Sequence, residues 1–188
     1  NIETATKNCS VALAKEGQAV IYKEIAEEGY SHAERLHVFI EELIHEAGIS
    51  FQDVKAIAVS QGPGSYTGLR IGVSAAKGLC YALNIPLIAV DTLKVIASKA
   101  NVDNGLIVPM LDARRMEVYS AIFNTKLEKQ REIQAEVITE NSFEDITEMV
   151  YFVGDCADKC QSVLVKSNFV FLEEVKYPSA KEMSALSF

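Results

Sequence analysis

Hydrophobic positions dominate residues 10–14 and 19–25, and the polar break between them at Glu16-Gly17 predicts two strands joined by a turn. From residue 31 the period changes. Ser31 and Glu34 have the spacing of a capping box, and Leu36, Ile40, Leu43, Ile44 and Ala47 recur on one helical face until Gly48. Residues 56–59 are uniformly apolar, as in a strand covered on both faces, and a helix is expected from about Gly68 to Leu83. Residues 87–90 read as another buried strand and 92–100 as another helix.

The order then begins again. Strands are predicted at 106–111, 118–123 and 135–139, a helix at 142–150, and a short strand at 151–153. A helix over 155–164, a strand over 169–172 and a final helix from Pro178 complete the chain. Three strands followed by alternating helices and strands thus occur twice, about 105 residues apart. That succession implies an α/β fold with mixed sheets covered by helices. It resembles a duplicated ribonuclease-H-like unit, the architecture of actin, Hsp70 chaperones and sugar kinases. The expected division is an N-terminal subdomain over 1–103 and a smaller, irregular one over 104–188. The chain opens as if inside a strand and stops inside a helix-like run, so residues are expected to be missing at both ends.

The most informative stretch is Gln61-Gly62-Pro63-Gly64-Ser65-Tyr66-Thr67-Gly68-Leu69-Arg70-Ile71-Gly72, joining a predicted strand to a predicted helix. Gly62, Gly64, Ser65, Thr67 and Gly68 would offer backbone N–H groups and capping hydroxyls to an anion or nucleotide. No Gly-Lys-Ser/Thr closes the loop as in a Walker A site, and Thr67 stands where a dinucleotide fingerprint needs its third glycine. Pro63 and Thr67 occupy the glycine positions that a nucleophile elbow would require around Ser65. Beyond the loop, Gly68, Gly72, Ala76 and Cys80 form a small-residue stripe. Such a stripe serves either tight packing inside the domain or close approach of a partner helix.

The formal net charge of −8 argues against direct binding to a polyanion such as tRNA. Four cysteines, at 9, 80, 156 and 160, lack disulfide-framework spacing and fit a reducing cytoplasm. No run approaches the roughly 18 apolar residues of a membrane span. His32, His37 and His45 form no His-x-x-x-His pair, although His37, Glu41 and His45 share a helical face. No metal site is expected.

The 61–72 stretch resembles the TsaB (YeaZ) family, as do Ala75-Ala76-Lys77-Gly78-Leu79 and Ile85-Pro86-Leu87-Ile88-Ala89-Val90-Asp91-Thr92-Leu93. Thr4-Ala5-Thr6, residues 9–13, residues 108–119 and Pro178-Ser179-Ala180 extend the likeness over nearly the whole chain. The resemblance implies a subunit without catalytic residues, similar to the catalytic TsaD, which modifies tRNA with threonylcarbamoyladenosine. It implies a TsaD-like partner, a TsaE-like ATPase, a homodimer in isolation, only indirect contact with tRNA, and a cytoplasmic location. No intrinsic cofactor is implied, and nucleotide binding would be weak or at a partner interface. Carried across, the partner-binding residues are Ser31, Arg35, Leu36, Phe39, Ile40 and Leu43 on the first helix. On the second they are Arg70, Gly72, Val73, Ala76, Lys77 and Cys80. Glu3 would stand near the phosphate-binding aspartate of actin-like ATPases, and Asp112 at the matching strand end of the second half. An actin-like ATPase or phosphotransferase is the alternative reading, and a glycoprotease-like metallopeptidase a weaker one.

Overall fold

The computed structural model describes residues 1–26 and 32–188. Ser31, with its predicted capping role, lies outside the described residues. Two compact units emerge, one of residues 1–95 with 178–188 and the other of residues 96–177.

In the first unit a five-stranded mixed sheet comprises β1 (Ile2–Glu3), β2 (Cys9–Lys15), β3 (Gln18–Ile25), β4 (Ile57–Ser60) and β5 (Leu87–Val90), in the order β3-β2-β1-β4-β5. β1–β2 and β2–β3 are antiparallel, whereas β4 is parallel to both β1 and β5. One face is covered by α1 (His32–Glu46) and α2 (Tyr66–Leu83). Leu36, Ile40 and Leu43 of α1 pack there with Ile2, Val11, Val59 and Ala76. Fully burying each such leucine or isoleucine contributes about 1.5–3 kcal/mol, so the helical period of α1 is a packing pattern. Asn84 ends α2 in a left-handed cap at φ 53°. On the other face, Met183 of α5 (Ala180–Leu186) packs with Ala58 and Val90.

The second unit repeats the topology. Its strands β6 (Leu106–Asp112), β7 (Glu117–Asn124), β8 (Lys129–Val137), β9 (Val150–Val153) and β10 (Phe169–Phe171) run β10-β9-β6-β7-β8. Renumbered from its own first strand, this is the order and the parallel–antiparallel pattern of the first sheet. Duplication is therefore visible in the pairing although it is faint in residue identity. The core centres on Phe152, stacked on Phe171 at 5.0 Å and edge-on to Phe169 at 5.1 Å and Phe143 at 5.5 Å.

Several elements depart from the sequence reading. The C-terminal helix, expected in the second subdomain, belongs to the first unit. The Ala180 N–H donates to Ser10 Oγ at 3.1 Å and Asn8 Nδ2 to the Pro178 carbonyl at 2.9 Å, which ties the segment to β2. The helix expected over 142–150 is absent: residues 142–145 are turns, the chain is then irregular, and Val150 already belongs to β9, because Phe143 takes φ 60° and a left-handed residue interrupts a helical ladder. Strand β5 is an edge with Leu87 and Ala89 exposed, so its apolar run is not covered on both faces. α3 (Thr92–Ala97) and α4 (Ala157–Gln161) are shorter than expected. No helix among the described residues is long and apolar enough to cross a membrane.

Candidate functional site

The glycine-rich turn begins where β4 ends. Gln61 N–H donates to the Val90 carbonyl at 2.9 Å, and Gly62 and Thr92 exchange two bonds, Gly62 N–H to Thr92 Oγ1 and Thr92 N–H to the Gly62 carbonyl, each at 3.1 Å. The Gly62–Pro63 peptide is cis. The Ser65 N–H then reaches back to the Ala5 carbonyl at 2.7 Å, and Ser65 Oγ caps α2 by accepting the Gly68 N–H at 3.3 Å. A Cβ on Gly64 would lie 2.3 Å from the Ala5 carbonyl oxygen, and one on Gly68 would lie 2.0 Å from that of Thr4. On Gly72 it would meet Thr4 Oγ1 at 2.2 Å, the hydroxyl that donates to the Gly68 carbonyl at 2.8 Å.

The glycines thus let residues 4–5 lie directly against the start of α2. Three of the expected anion donors, the N–H groups of Gly62, Ser65 and Gly68, are bonded within the unit. The Thr67 side chain is exposed.

The two strand-end acids are likewise engaged. Glu3 is fully buried, with Oε1 accepting the Ala5 N–H at 2.7 Å and Oε2 the Ser60 hydroxyl. Burial pushes its carboxyl up to about 7, against the lowering effect of those two bonds. Asp112, exposed at the end of β6, accepts the Arg114 N–H at 3.0 Å and is ion-paired with Lys159. Partial burial opposes its ionisation, but Lys159 and the Arg114 N–H outweigh that and hold its carboxyl below the usual range. Lys159 Nζ also donates to the Arg115 carbonyl at 2.7 Å. A lysine ammonium thus stands on the carboxylate that an ATPase would direct at phosphate-bound metal. Neighbouring Asp155 is pushed up, first by burial, while its Oδ1 accepts the Asp112 N–H at 3.1 Å.

The partner-binding candidates divide by face. Leu36, Ile40, Leu43, Gly72, Ala76 and Cys80 are buried within the unit, so the small stripe serves internal packing. The physical reason is the close approach of Thr4 and Ile2 to Gly72. Arg70 and Lys77 are exposed, and Arg35, Phe39 and Val73 are half-buried.

The opposite side of α2 carries Tyr66 at 75 % exposure, which sequence reasoning missed, and Tyr81 at 92 %, which falls within the 70–83 stretch that the resemblance assigns to partner binding. Arg70 lies over the Tyr66 ring at 5.2 Å. Gly78 shares this outer side, and a Cβ there would meet nothing within 4 Å. On α1 the outer face holds Val38, Glu34, Glu41 and Glu42. A helical wheel would have shown that Tyr66, Arg70, Lys77 and Tyr81 share one side, away from the small stripe.

His37, Glu41 and His45 are exposed on α1, and no group of three or more His, Cys, Asp or Glu suited to a metal ion is gathered among the described residues. Cys156 and Cys160 are buried free thiols in the second core.

Residues 23–185 match the family model described as "TsaD: tRNA N6-adenosine threonylcarbamoyltransferase". The chain is 38% identical over 125 residues to the tRNA threonylcarbamoyladenosine biosynthesis protein TsaB of Bacillus subtilis (strain 168), covering 66% of this chain and 54% of that protein. Against the TsaB protein of Escherichia coli (strain K12) it is 38% identical over 122 residues, covering 64% and 52%. The chain spans about half the length of these curated relatives. Among solved structures, YeaZ from Pseudomonas aeruginosa matches with a TM-score of 0.81 at 28% identity, over 99% of this chain and 88% of that one.

Proposed function

The chain belongs to the family of TsaD, tRNA N6-adenosine threonylcarbamoyltransferase, within its TsaB/YeaZ group, and from that premise we propose that it is a non-catalytic subunit of tRNA threonylcarbamoyladenosine biosynthesis in the cytoplasm. It binds a TsaD-like catalytic subunit, a TsaE-like ATPase joins the pair, and tRNA is held by the other subunits. The supporting observation is the contrast between sealed strand ends and an open helix face. Glu3 has both carboxylate oxygens bonded inside the unit, and Lys159 occupies Asp112. Both oxygens of Glu3 are turned inward, and Oδ1 of Asp112 is shared by Lys159 and the Arg114 N–H.

The outer side of α2 has the opposite character. Two exposed tyrosines flank Arg70, Lys77 and Gly78, and exposed tyrosine with arginine is the composition of interface hot spots. Glycine inside a helix costs about 1 kcal/mol relative to alanine, and nothing within the unit approaches Gly78. A partner helix crossing there supplies a reason for it. The same face pairs with a second copy when the catalytic subunit is absent.

Pairing is tested by titrating a TsaD-like subunit, followed by calorimetry, with the Tyr81→Ala and Arg70→Glu variants. Both should stay folded, since exposed substitutions shift stability by no more than about 0.5 kcal/mol, while affinity falls at least about tenfold, as loss of a hot spot does. Unchanged affinity in both variants places the contact elsewhere and removes this face from the reading.

A further inference from the structure

The second core holds two thiols in contact that play no part in the pairing described above. Cys156 stands at the N-cap of α4 and Cys160 one turn on, with the Cys160 N–H donating to the Cys156 carbonyl at 3.3 Å. Both are free and buried, in the cluster that includes Phe152, Ala157 and Leu164. The Cys156 thiol hydrogen-bonds to Cys160. That bond pushes the Cys156 thiol up, and burial adds to the rise. It also lowers the Cys160 thiol, against the raising effect of burial and with help from the Lys159 ammonium. One sulfur is thus the better nucleophile while the other keeps its proton.

Lys159 lies between the two cysteines in the chain, and its ammonium reaches out of the core. It is ion-paired with Asp112 and donates to the Arg115 carbonyl at 2.7 Å. Those contacts clamp the β6–β7 hairpin tip, where Arg114 and Arg115 take φ 78° and 55°. Successive non-glycine residues in the left-handed region are strained and persist only where their surroundings fix them. The tip is closed by the Arg114 N–H on Asp112 at 3.0 Å, and by Ala113 N–H to the Glu117 carbonyl and Glu117 N–H to the Arg114 carbonyl, each at 3.1 Å. α4 therefore carries the thiol pair on one side and the clamp on another. It is five residues long with no side-chain cap at its N-terminus, and such a helix is among the first elements to open locally.

We propose that Cys156 and Cys160 form a redox switch, in which a peroxide closes a disulfide between them and so withdraws Lys159 from the hairpin tip. The Cys160 sulfur attacks one peroxide oxygen, the O–O bond breaks, and a sulfenic acid and one water result. The Cys156 sulfur then attacks the sulfenic sulfur, the S–O bond breaks, and the hydroxyl leaves as a second water with the Cys156 proton. Each sulfur gives up one electron, and the peroxide is reduced to two waters. Residues four apart on a helix hold their Cβ atoms about 5–6 Å apart, whereas a disulfide needs about 3.5–4.5 Å. The first turn of α4 must distort as the bond closes, and Lys159 belongs to that turn. The same strain leaves the bond easily reduced, as a reversible switch requires.

The test exposes the full reduced chain to hydrogen peroxide for hours, followed by alkylation and mass spectrometry. A chain lighter by two hydrogen atoms is expected, with the link mapped to Cys156 and Cys160 and reversed by glutathione. With Cys156→Ser the reaction should stop at a sulfenic acid on Cys160, trapped by dimedone. Amide exchange at Ala113, Arg114 and Glu117 should speed up at least about tenfold in the oxidised chain, as loss of a charge-assisted hydrogen bond implies. Lys159→Met should bring the same change without peroxide. The proposal is overturned if the folded chain forms no such link or if glutathione leaves the link intact. It is equally overturned if exchange at the tip is the same oxidised and reduced, or if Lys159→Met leaves it unchanged.

Discussion

Alanine at Gly68 and alanine at Gly78 are the same chemical change on one helix, and the structure gives them opposite signs. At Gly78 the added methyl meets nothing within 4 Å, so only the backbone effect acts and stability rises by about 0.5–1 kcal/mol. At Gly68 the methyl carbon would stand 2.0 Å from the Thr4 carbonyl oxygen and 3.2 Å from His32 Cδ2. The first is a main-chain atom between two buried residues, Glu3 and Ala5, so it cannot rotate away. Overpacking of this kind costs about 1–3 kcal/mol, and separating the strand end from the helix also unpairs Ser65 N–H from the Ala5 carbonyl, adding about 1–3 kcal/mol. After subtracting about 1 kcal/mol of helix propensity, the net loss is roughly 3 kcal/mol, within about 1–5. Urea denaturation followed by far-ultraviolet circular dichroism measures both variants against the parent. If Gly68→Ala is neutral or stabilising, the glycine stripe does not exist to admit residues 4–5, and the account of the turn fails.

Two further outcomes follow from buried titratable groups. Glu3 has its carboxyl raised from 4.5 to about 7 by burial, so the folded chain holds a proton that the unfolded chain has released between those values. The contribution of Glu3 to stability is fully present below about pH 4.5 and falls by about 3 kcal/mol as pH rises to about 7. Glu3→Gln, which can still accept from Ala5 N–H and bond Ser60, should flatten that part of the urea-midpoint profile and be the more stable form at pH 8; an unchanged slope refutes the assignment. All four cysteines are buried and free, so a thiol reagent should titrate none in the native chain within minutes and four in denaturant. Rapid labelling of any thiol under native conditions would contradict the packing described for Cys156 and Cys160.

Much of the architecture is legible in the sequence because it rests on periodicity. Leu36, Ile40 and Leu43 mark the inner face of α1, and the glycine-rich stretch marks a strand-to-helix turn of unusual closeness. What periodicity does not carry is which surface a pattern faces. The stripe of Gly68, Gly72, Ala76 and Cys80 reads equally well as an internal seam or an external one. The choice depends on Thr4, a residue some 64 positions away whose hydroxyl donates to the Gly68 carbonyl. The assignment of α5 to the first unit likewise depends on bonds from Ser10 and Asn8 to the 178–180 segment, at a separation of 170 residues. Phe143 looks like an ordinary apolar helix position and becomes a turn only because its left-handed backbone lets the ring reach Phe152. The exposed Tyr66 and Tyr81 were visible as residues, but their exposure follows from the stripe facing inward.

The central claim is a supporting role beside a catalytic relative, and an omission reconstitution tests it most directly. Unmodified tRNA, threonine, bicarbonate and ATP are incubated with the enzyme that makes the threonylcarbamoyl adenylate, a TsaD-like subunit and a TsaE-like ATPase, with and without this chain. Modified nucleoside is quantified by mass spectrometry. The account predicts product only when this chain and the TsaD-like subunit are both present, and none when this chain replaces that subunit. Undiminished product on omitting the chain, or product formed by the chain in place of the catalytic subunit, would contradict it.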